Sequence, residues 1–319
     1  MIDKKIEKGE LHIHLFGGIP SNIIFNILKN NNLEIASESE LLVPKTCASL
    51  CEYFYPWKYF RKIPCNFCDL DTLIDGFFNN LKKENISFVE VRNSIVHIAE
   101  RLNIDIVDAL SLIDERIQFF SNKYNIKAGL IMTLERGSHM KKNFTQLIDA
   151  YKRTAYSNSI IGIDIAGNED FPIEDNFAAN ISNITKDNNL GLTVHAGETG
   201  NLMNVYQAIQ NFKANRIGHG VAALLSEDVL KILHEQNICL EVCPTSNLYT
   251  GALKRETLIQ LQNLIRFDVP FTICSDNPCI QNSTLGEEYE LLSNILGDEF
   301  IKNKQLEIQK NFSFIKELR

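Results

Sequence analysis

Eight short apolar runs, each of strand length, constrain this chain more than any other feature. They are ELHIHL (10–15), SFVEVR (87–92), KAGLIMTL (127–134), IIGIDIA (160–166), GLTVHA (191–196), NRIGHG (215–220), ICLEVC (238–243) and PFTICS (270–275). Between most of them lie amphipathic stretches such as DIVDALSLIDERIQFF and SEDVLKILHEQN. Strands that alternate with helices and are apolar on both faces predict a parallel sheet covered by helices. Eight such units in one chain predict a closed (β/α)8 TIM barrel in place of an open sheet. The first connection, roughly 16–86, is long and reads as a helical insertion carrying the only tryptophan, Trp57. No linker or low-complexity tract interrupts residues 1–319, so one domain is expected.

Composition removes several function classes. A formal net charge of −8 argues against a nucleic-acid partner, which needs clustered positive charge. The sequence holds no run of eighteen apolar residues, and its polar opening, MIDKKIEKGE, does not read as a signal peptide. The expectation is a cytoplasmic protein with no membrane partner and mostly reduced cysteines. Nothing in the sequence fixes an oligomeric state, and a monomer suffices.

In a barrel of this kind chemistry gathers at the C-terminal strand ends. Histidines and an aspartate fall there: His12 and His14 on the first strand, His195 on the fifth, His219 on the sixth and Asp276 after the eighth. Residues i and i+2 of a strand share a face, so both imidazoles of the H-x-H pair can reach one point. Adding His195 and Asp276 gives three nitrogens and one oxygen, a donor set suited to Zn²⁺ with a position left for water. Glu198, three residues beyond His195, is placed to act as general acid and base. His219 can orient or polarise a water activated by the metal.

The motifs ELHIHLFGG, EVRNS, GIDIAGNE, TVHAGE, RIGHG, LEVCPTSN and SDNP, in this order, resemble the adenosine deaminase family of amidohydrolase-like, metal-dependent enzymes. The likeness spans about residues 9–290. It implies one zinc held by His12, His14, His195 and Asp276, and hydrolytic loss of an amino group from C6 of a purine. Glu198 would protonate N1, His219 would stabilise the attacking oxygen, and Asp276 would help deprotonate the water. The backbone N–H of Gly167 would meet N3, and Asn277 would face N7. His14, Phe16, Gly167 and Asn277 thus form the expected substrate-contacting set.

Three departures from that family pattern stand out. Phe16 replaces an Asp that contacts a ribose 5′-hydroxyl, which points to a 5′-deoxy or 5′-thio nucleoside, or a free base. Asn277 replaces the second Asp of SDDP, keeping an amide donor for N7 while also offering an acceptor. Asn168 stands for Asp in AGNE, and the sequence gives no reason for it. A purine-binding barrel without catalysis is the alternative, weakened by the complete set of metal donors with Glu198. Nucleotides look disfavoured, since no basic cluster adjoins the motifs.

Other motifs compete for attention. GHGVAA (218–223), with Glu241 some way on, imitates a dinucleotide fingerprint, although His219 sits inside it. PCNFC matches half of the cytidine-type zinc deaminase signature, but no H-x-E triplet occurs. Cys47, Cys51, Cys65 and Cys68 form a C-x3-C…C-x2-C array compatible with a second, structural zinc; reduced cysteines in helices are the simpler reading. His97, His139 and His234 receive no functional role. Phe54, Trp57 and Phe60 are candidates for a pocket wall and equally for core packing.

Overall fold

A computed structural model describes residues 6–45, 47, 50–154 and 157–319, with only the backbone of Leu50 and Cys51. Eight strands form one sheet in the order β1 to β8: Lys8–His14, Ile86–Asn93, Lys127–Glu135, Ile160–Ala166, Gly191–Ala196, Arg216–His219, Cys239–Val242 and Phe271–Ile273. Every adjacent ladder is parallel, with helices between the strands, so the (β/α)8 barrel expectation holds. Along β3 the alternation explains the packing. Leu130, Met132 and Leu134 join the large apolar layer under the helices, while Ile131 belongs to a separate inner cluster.

The seam between β8 and β1 is built differently. Backbone pairing occurs only at the mouth, where Asp276 N donates to His12 O (2.8 Å) and His14 N to Asp276 O (3.0 Å). Lower down, side chains take over the ladder's role. Gln305 accepts from Ile273 N (2.9 Å) and Gln309 from Gly9 N (3.0 Å), both from the C-terminal helix Gln305–Phe312. Glu10 accepts from Ser275 N (3.1 Å) and from its hydroxyl (2.6 Å). Buried backbone donors must be paired, and these amides and this carboxylate pair them.

The barrel interior is unusually polar. Arg92 and Arg216 are fully buried and both contact Glu241; Arg216 also contacts Glu90, and Arg92 reaches Asp164 at 3.4 Å. Burial alone would raise Glu241, but Arg92 and Arg216 outweigh it and hold the carboxyl well below its usual range.

The insertion after β1 is helical, as expected, and its longest element shows why. In Phe67–Lys83, Leu70, Leu73, Ile74, Phe77, Phe78 and Leu81 recur at helical spacing and are buried. Asn66 caps its start by accepting from Asp69 N (2.8 Å). The short helix Trp57–Phe60 precedes it and brings its aromatic residues over the barrel mouth.

Candidate active site

The mouth holds a cavity of about 340 Å³ lined by residues from β1, β2, β3, β4, β5 and β6, the loop after β8 and the insertion. His14, Phe16, Gly167, His195, Glu198, His219, Asp276 and Asn277 all line it, and His12 lies fully buried beneath. Phe54, Trp57 and Phe60 line it as well and also pack in or against the hydrophobic core, so both readings hold. His97, given no role from sequence, also faces the cavity, with its Nε2 donating to Ile63 O (2.8 Å) and its ring edge-on to Phe16 at 5.5 Å.

The backbone is bent where chemistry gathers. His219 and Asp276 both have φ of +60, and Gly167 has φ of +92. Left-handed conformations cost a non-glycine residue on the order of 1–3 kcal/mol, so these strand ends hold their side chains against local preference.

The donor atoms crowd together. His14 Nε2 lies 3.3 Å from His195 Nε2 and 3.5 Å from Asp276 Oδ1; His12 Nε2 lies 3.6 Å from the same oxygen. Two overlapping groups have ligand atoms within 4.8 Å of one another: His12, His195, His219 and Asp276, and His14, Asp164 and His195. Separations near 3.3 Å match a tetrahedral ion with bonds of ~2.0–2.1 Å. His12 Nδ1 is held by Glu241 (2.7 Å) and His195 Nδ1 by Asp164 (2.9 Å). A carboxylate on Nδ1 fixes the proton there and leaves the Nε2 lone pair facing the centre, as a metal requires. Burial pushes His14 down to about 3, so it too offers a lone pair. The residues present therefore fit a zinc ion.

His219 is held differently. The Asn247 amide donates to its Nδ1 (3.1 Å), which places the proton of the neutral ring on Nε2. That nitrogen faces Glu198 Oε2 at 3.6 Å, and burial keeps the ring well below its ordinary pKa. A protonated Nε2 donates and does not ligate. Glu198 is buried, and burial, with Asp276 and Glu169 nearby, raises its carboxyl well above the usual range. That environment favours the protonated form, the form that can give a proton.

Sequence reading missed the residues behind this constellation. Glu169, the last residue of GIDIAGNE, accepts from Gly197 N and Glu198 N (2.8 Å each) and from Asn204 Nδ2 (2.8 Å), pinning the turn that carries Glu198. Asn168 accepts from Asp170 N (3.0 Å), a local turn contact that an aspartate makes equally well. Their signal was present in the quoted motif, but nothing local says what they touch. Tyr53, from the insertion, donates to Asp276 Oδ2 (3.0 Å).

Asn277 departs from its expected geometry. Its Nδ2 donates to Asp276 Oδ1 (2.7 Å) and to Tyr53 Oη (3.3 Å), and its Oδ1 has no partner. The adjacent carboxylate is the stronger acceptor, so the amide donor expected to face N7 is engaged. The acceptor is what remains.

Among the described residues the cysteine array shows no such convergence. Cys47 Sγ contacts Pro44 O and Cys65 Sγ contacts Lys62 O, each at 3.5 Å; Cys68 is exposed, and the Cys51 side chain lies outside the described residues. Among the described residues neither metal-compatible group includes a cysteine. The dinucleotide imitation also dissolves, because Glu241 is fully buried among arginines inside the barrel. Among the described residues no helix is long and apolar enough to cross a membrane.

A sequence model described as adenosine deaminase matches residues 7–316. An adenosine deaminase of Clostridium botulinum (strain 657 / Type Ba4) is 30% identical over 303 residues, covering 92% of this chain and 89% of that one. Among solved structures, a cog1816 amidohydrolase from Burkhoderia ambifaria with bound Zn superposes with a TM-score of 0.84 at 17% identity, covering 98% of this chain and 86% of the other. An N6-mAMP deaminase from arabidopsis gives 0.82 at 21% identity, covering 99% and 97%. The two structures show a shared fold; the matched sequence model and the clostridial relative establish that this chain belongs to the adenosine deaminase family of hydrolases.

Proposed function

We propose that the chain catalyses zinc-dependent hydrolytic deamination of a 6-aminopurine: an adenosine-like nucleoside, a 5′-modified nucleoside such as methylthioadenosine, or an adenine-type base. One observation carries this reading. A donor set fit for zinc and a buried Glu198, its carboxyl shifted upward by burial, face the same cavity. His12, His14, His195 and Asp276 would hold the ion, and zinc, when bound, supplies a water nucleophile at neutral pH.

The chain's own groups do the rest. Glu198 gives its proton to N1, which makes C6 electrophilic. The Nε2–H of His219 holds the oxygen that adds to C6. Asp276 takes one proton from the water and passes it to the amino nitrogen; the C6–N bond breaks, ammonia leaves, and the adduct's remaining hydroxyl proton returns to Glu198 as the C6 carbonyl forms. Gly167 N–H addresses N3. The unpartnered Oδ1 of Asn277 presents an acceptor on the N7 side. Phe16 is 7% exposed and supplies no acceptor for a free 5′-hydroxyl, so a substrate lacking that hydroxyl fits better. The chain acts as a soluble-substrate enzyme in which neither nucleic acid nor membrane takes part, its expected setting being the cytoplasm.

The test is release of ammonia by zinc-loaded protein from adenosine, methylthioadenosine and adenine, and of methylamine from N6-methylated bases. Turnover of at least one, abolished by Glu198→Gln, is expected. Zinc-loaded protein that releases no amine from any of them, nor from their 5′-charged nucleosides, would sink the reading, and a strong preference for adenosine would sink the role given to Phe16.

A further inference from the structure

The catalytic pole accounts for only part of the cavity. Its outer lip, at the ends of β2 and β3, carries buried polar groups with no partner: Asn93 Nδ2, Thr133 Oγ1 and Arg136 Nε. Their residues are 4%, 5% and 8% exposed, and all three line the cavity. Across from them the indole Nε1 of Trp57 is likewise buried and unpartnered. Every one of these atoms is an N–H or O–H; three can only donate. Buried donors left without a protein acceptor are costly and call for a partner that the protein does not itself supply.

Charge points the same way. Arg61 lies exposed on the cavity wall, and among the described residues no carboxylate forms an ion pair with its guanidinium. Arg136 spends one nitrogen on His195 O (2.9 Å) and keeps Nε unused. Away from the catalytic pole Glu135 is the one acidic residue on the lining beside Arg61 and Arg136, while Glu169 and Asp164 act on Arg136 from behind it. Phe16 adds no negative charge on the neighbouring wall. The two arginines stand 75 positions apart, which hid the basic cluster from a reading of the sequence. A cavity of about 340 Å³ also leaves room beyond a bare base, given that ~300–1,000 Å³ encloses drug-sized ligands.

We propose that this lip is an anion subsite, in which Asn93, Thr133 and Arg136, with Arg61 at the rim, receive an ionised oxygen group at the sugar end of the substrate. The substrate class is then a nucleoside bearing a phosphate ester or a carboxylate at its 5′ end. The identity of the other end, a 6-aminopurine, rests on the function proposed above. The subsite itself is a set of donors that any such oxyanion satisfies.

The experiment compares kcat/KM of zinc-loaded protein for AMP, for adenosine 5′-carboxylate and for uncharged 5′-methylthioadenosine. At least one anionic substrate is expected to exceed the uncharged one tenfold or more, and the larger ratio names the source, phosphate or carboxylate. That ratio should fall at least tenfold in Thr133→Val, which keeps side-chain shape, and in Arg61→Ala, which alters an exposed residue. A ratio at or below one, or one unmoved in both variants, overturns the subsite. Should no purine be deaminated, the purine reading fails and inorganic phosphate or acetate alone reads the subsite. A rise in Tm that both variants lose supports it; no rise, or one that both variants retain, overturns it.

Discussion

Two parts of one cavity are built differently. At the inner pole, between β1, β5 and β8, the imidazoles that face the centre are locked from behind: Glu241 on His12, Asp164 on His195, Asn247 on His219. At the outer lip, between β2 and β3, Asn93, Thr133 and Arg136 each hold a buried polar atom with nothing opposite. The difference teaches where the protein does work before the ligand arrives. The pole is organised in advance because chemistry there tolerates little reorganisation. The lip is left incomplete, so its hydrogen bonds become binding energy when a ligand supplies the acceptors.

The sharpest way to break the pole is to remove its acid. Glu198→Gln keeps shape and hydrogen-bonding capacity but has no proton to give to N1, so kcat should fall by ~10²–10⁴ with the fold intact by circular dichroism. An unchanged kcat would show that the proton comes from elsewhere.

Loss of the groups behind the imidazoles should read as stability and metal affinity. Glu241 balances Arg92 and Arg216 at zero exposure, so Glu241→Gln leaves buried charge uncompensated and should cost about 3–5 kcal/mol, measured by denaturant unfolding. Asp164→Asn should weaken zinc by ~10–100-fold in a chelator competition, since it loosens the hold on His195 Nδ1. Removal of the metal by the same chelator should abolish turnover and restore it on adding zinc back.

Glu169 tests whether pre-organisation extends to the acid's own backbone. Glu169→Gln can still accept one of the two N–H bonds from Gly197 and Glu198, whereas Glu169→Ala accepts neither. The alanine variant should therefore lose about tenfold more kcat than the glutamine variant, with KM little changed. Equal losses would assign Glu169 to charge alone.

A pH effect outside both regions serves as their control. Burial pushes Glu288 up to about 8, while its Oε2 accepts from Thr245 N (2.9 Å). Its folded-state pKa is above the unfolded one, so the folded state holds the extra proton. That stability is fully present below about pH 4.5 and is lost as pH rises toward 8, with a slope of up to about 1.4 kcal/mol per pH unit. In urea titrations across pH 5–8, Glu288→Gln should flatten this slope without altering the pole. A slope equal to wild type would mean that Glu288 does not titrate in this range.

Much of the inner pole was legible in the sequence because its signals are local. An H-x-H pair shares one strand face whatever else the chain does, and barrel chemistry gathers at strand ends. His12, His14, His195, Glu198, His219 and Asp276 all reached the mouth for that reason. What the sequence did not disclose is which partner each group would find. Asn277 looked like a donor toward the base, yet the neighbouring Asp276 takes its amide hydrogen. His97 carried no signal, and only packing set it against Phe16. The β8 strand ended short of Asp276 because the closing bonds come from Glu10, Gln305 and Gln309, residues remote in sequence.

The sequence by itself determined the alternation of strands and helices, the number of barrel units and the kinds of donor atoms at their ends, since apolar periodicity and i, i+2 geometry act over a few residues. Tertiary structure alone decided which carboxylate locks which imidazole, how His219 and Asp276 bend into left-handed backbone, and that Arg61 and Arg136 share a lip with Thr133. Those outcomes depend on closing the barrel, which sets side chains tens or hundreds of residues apart within a few ångströms of each other. Hydrogen-bond pairing is settled only at that distance.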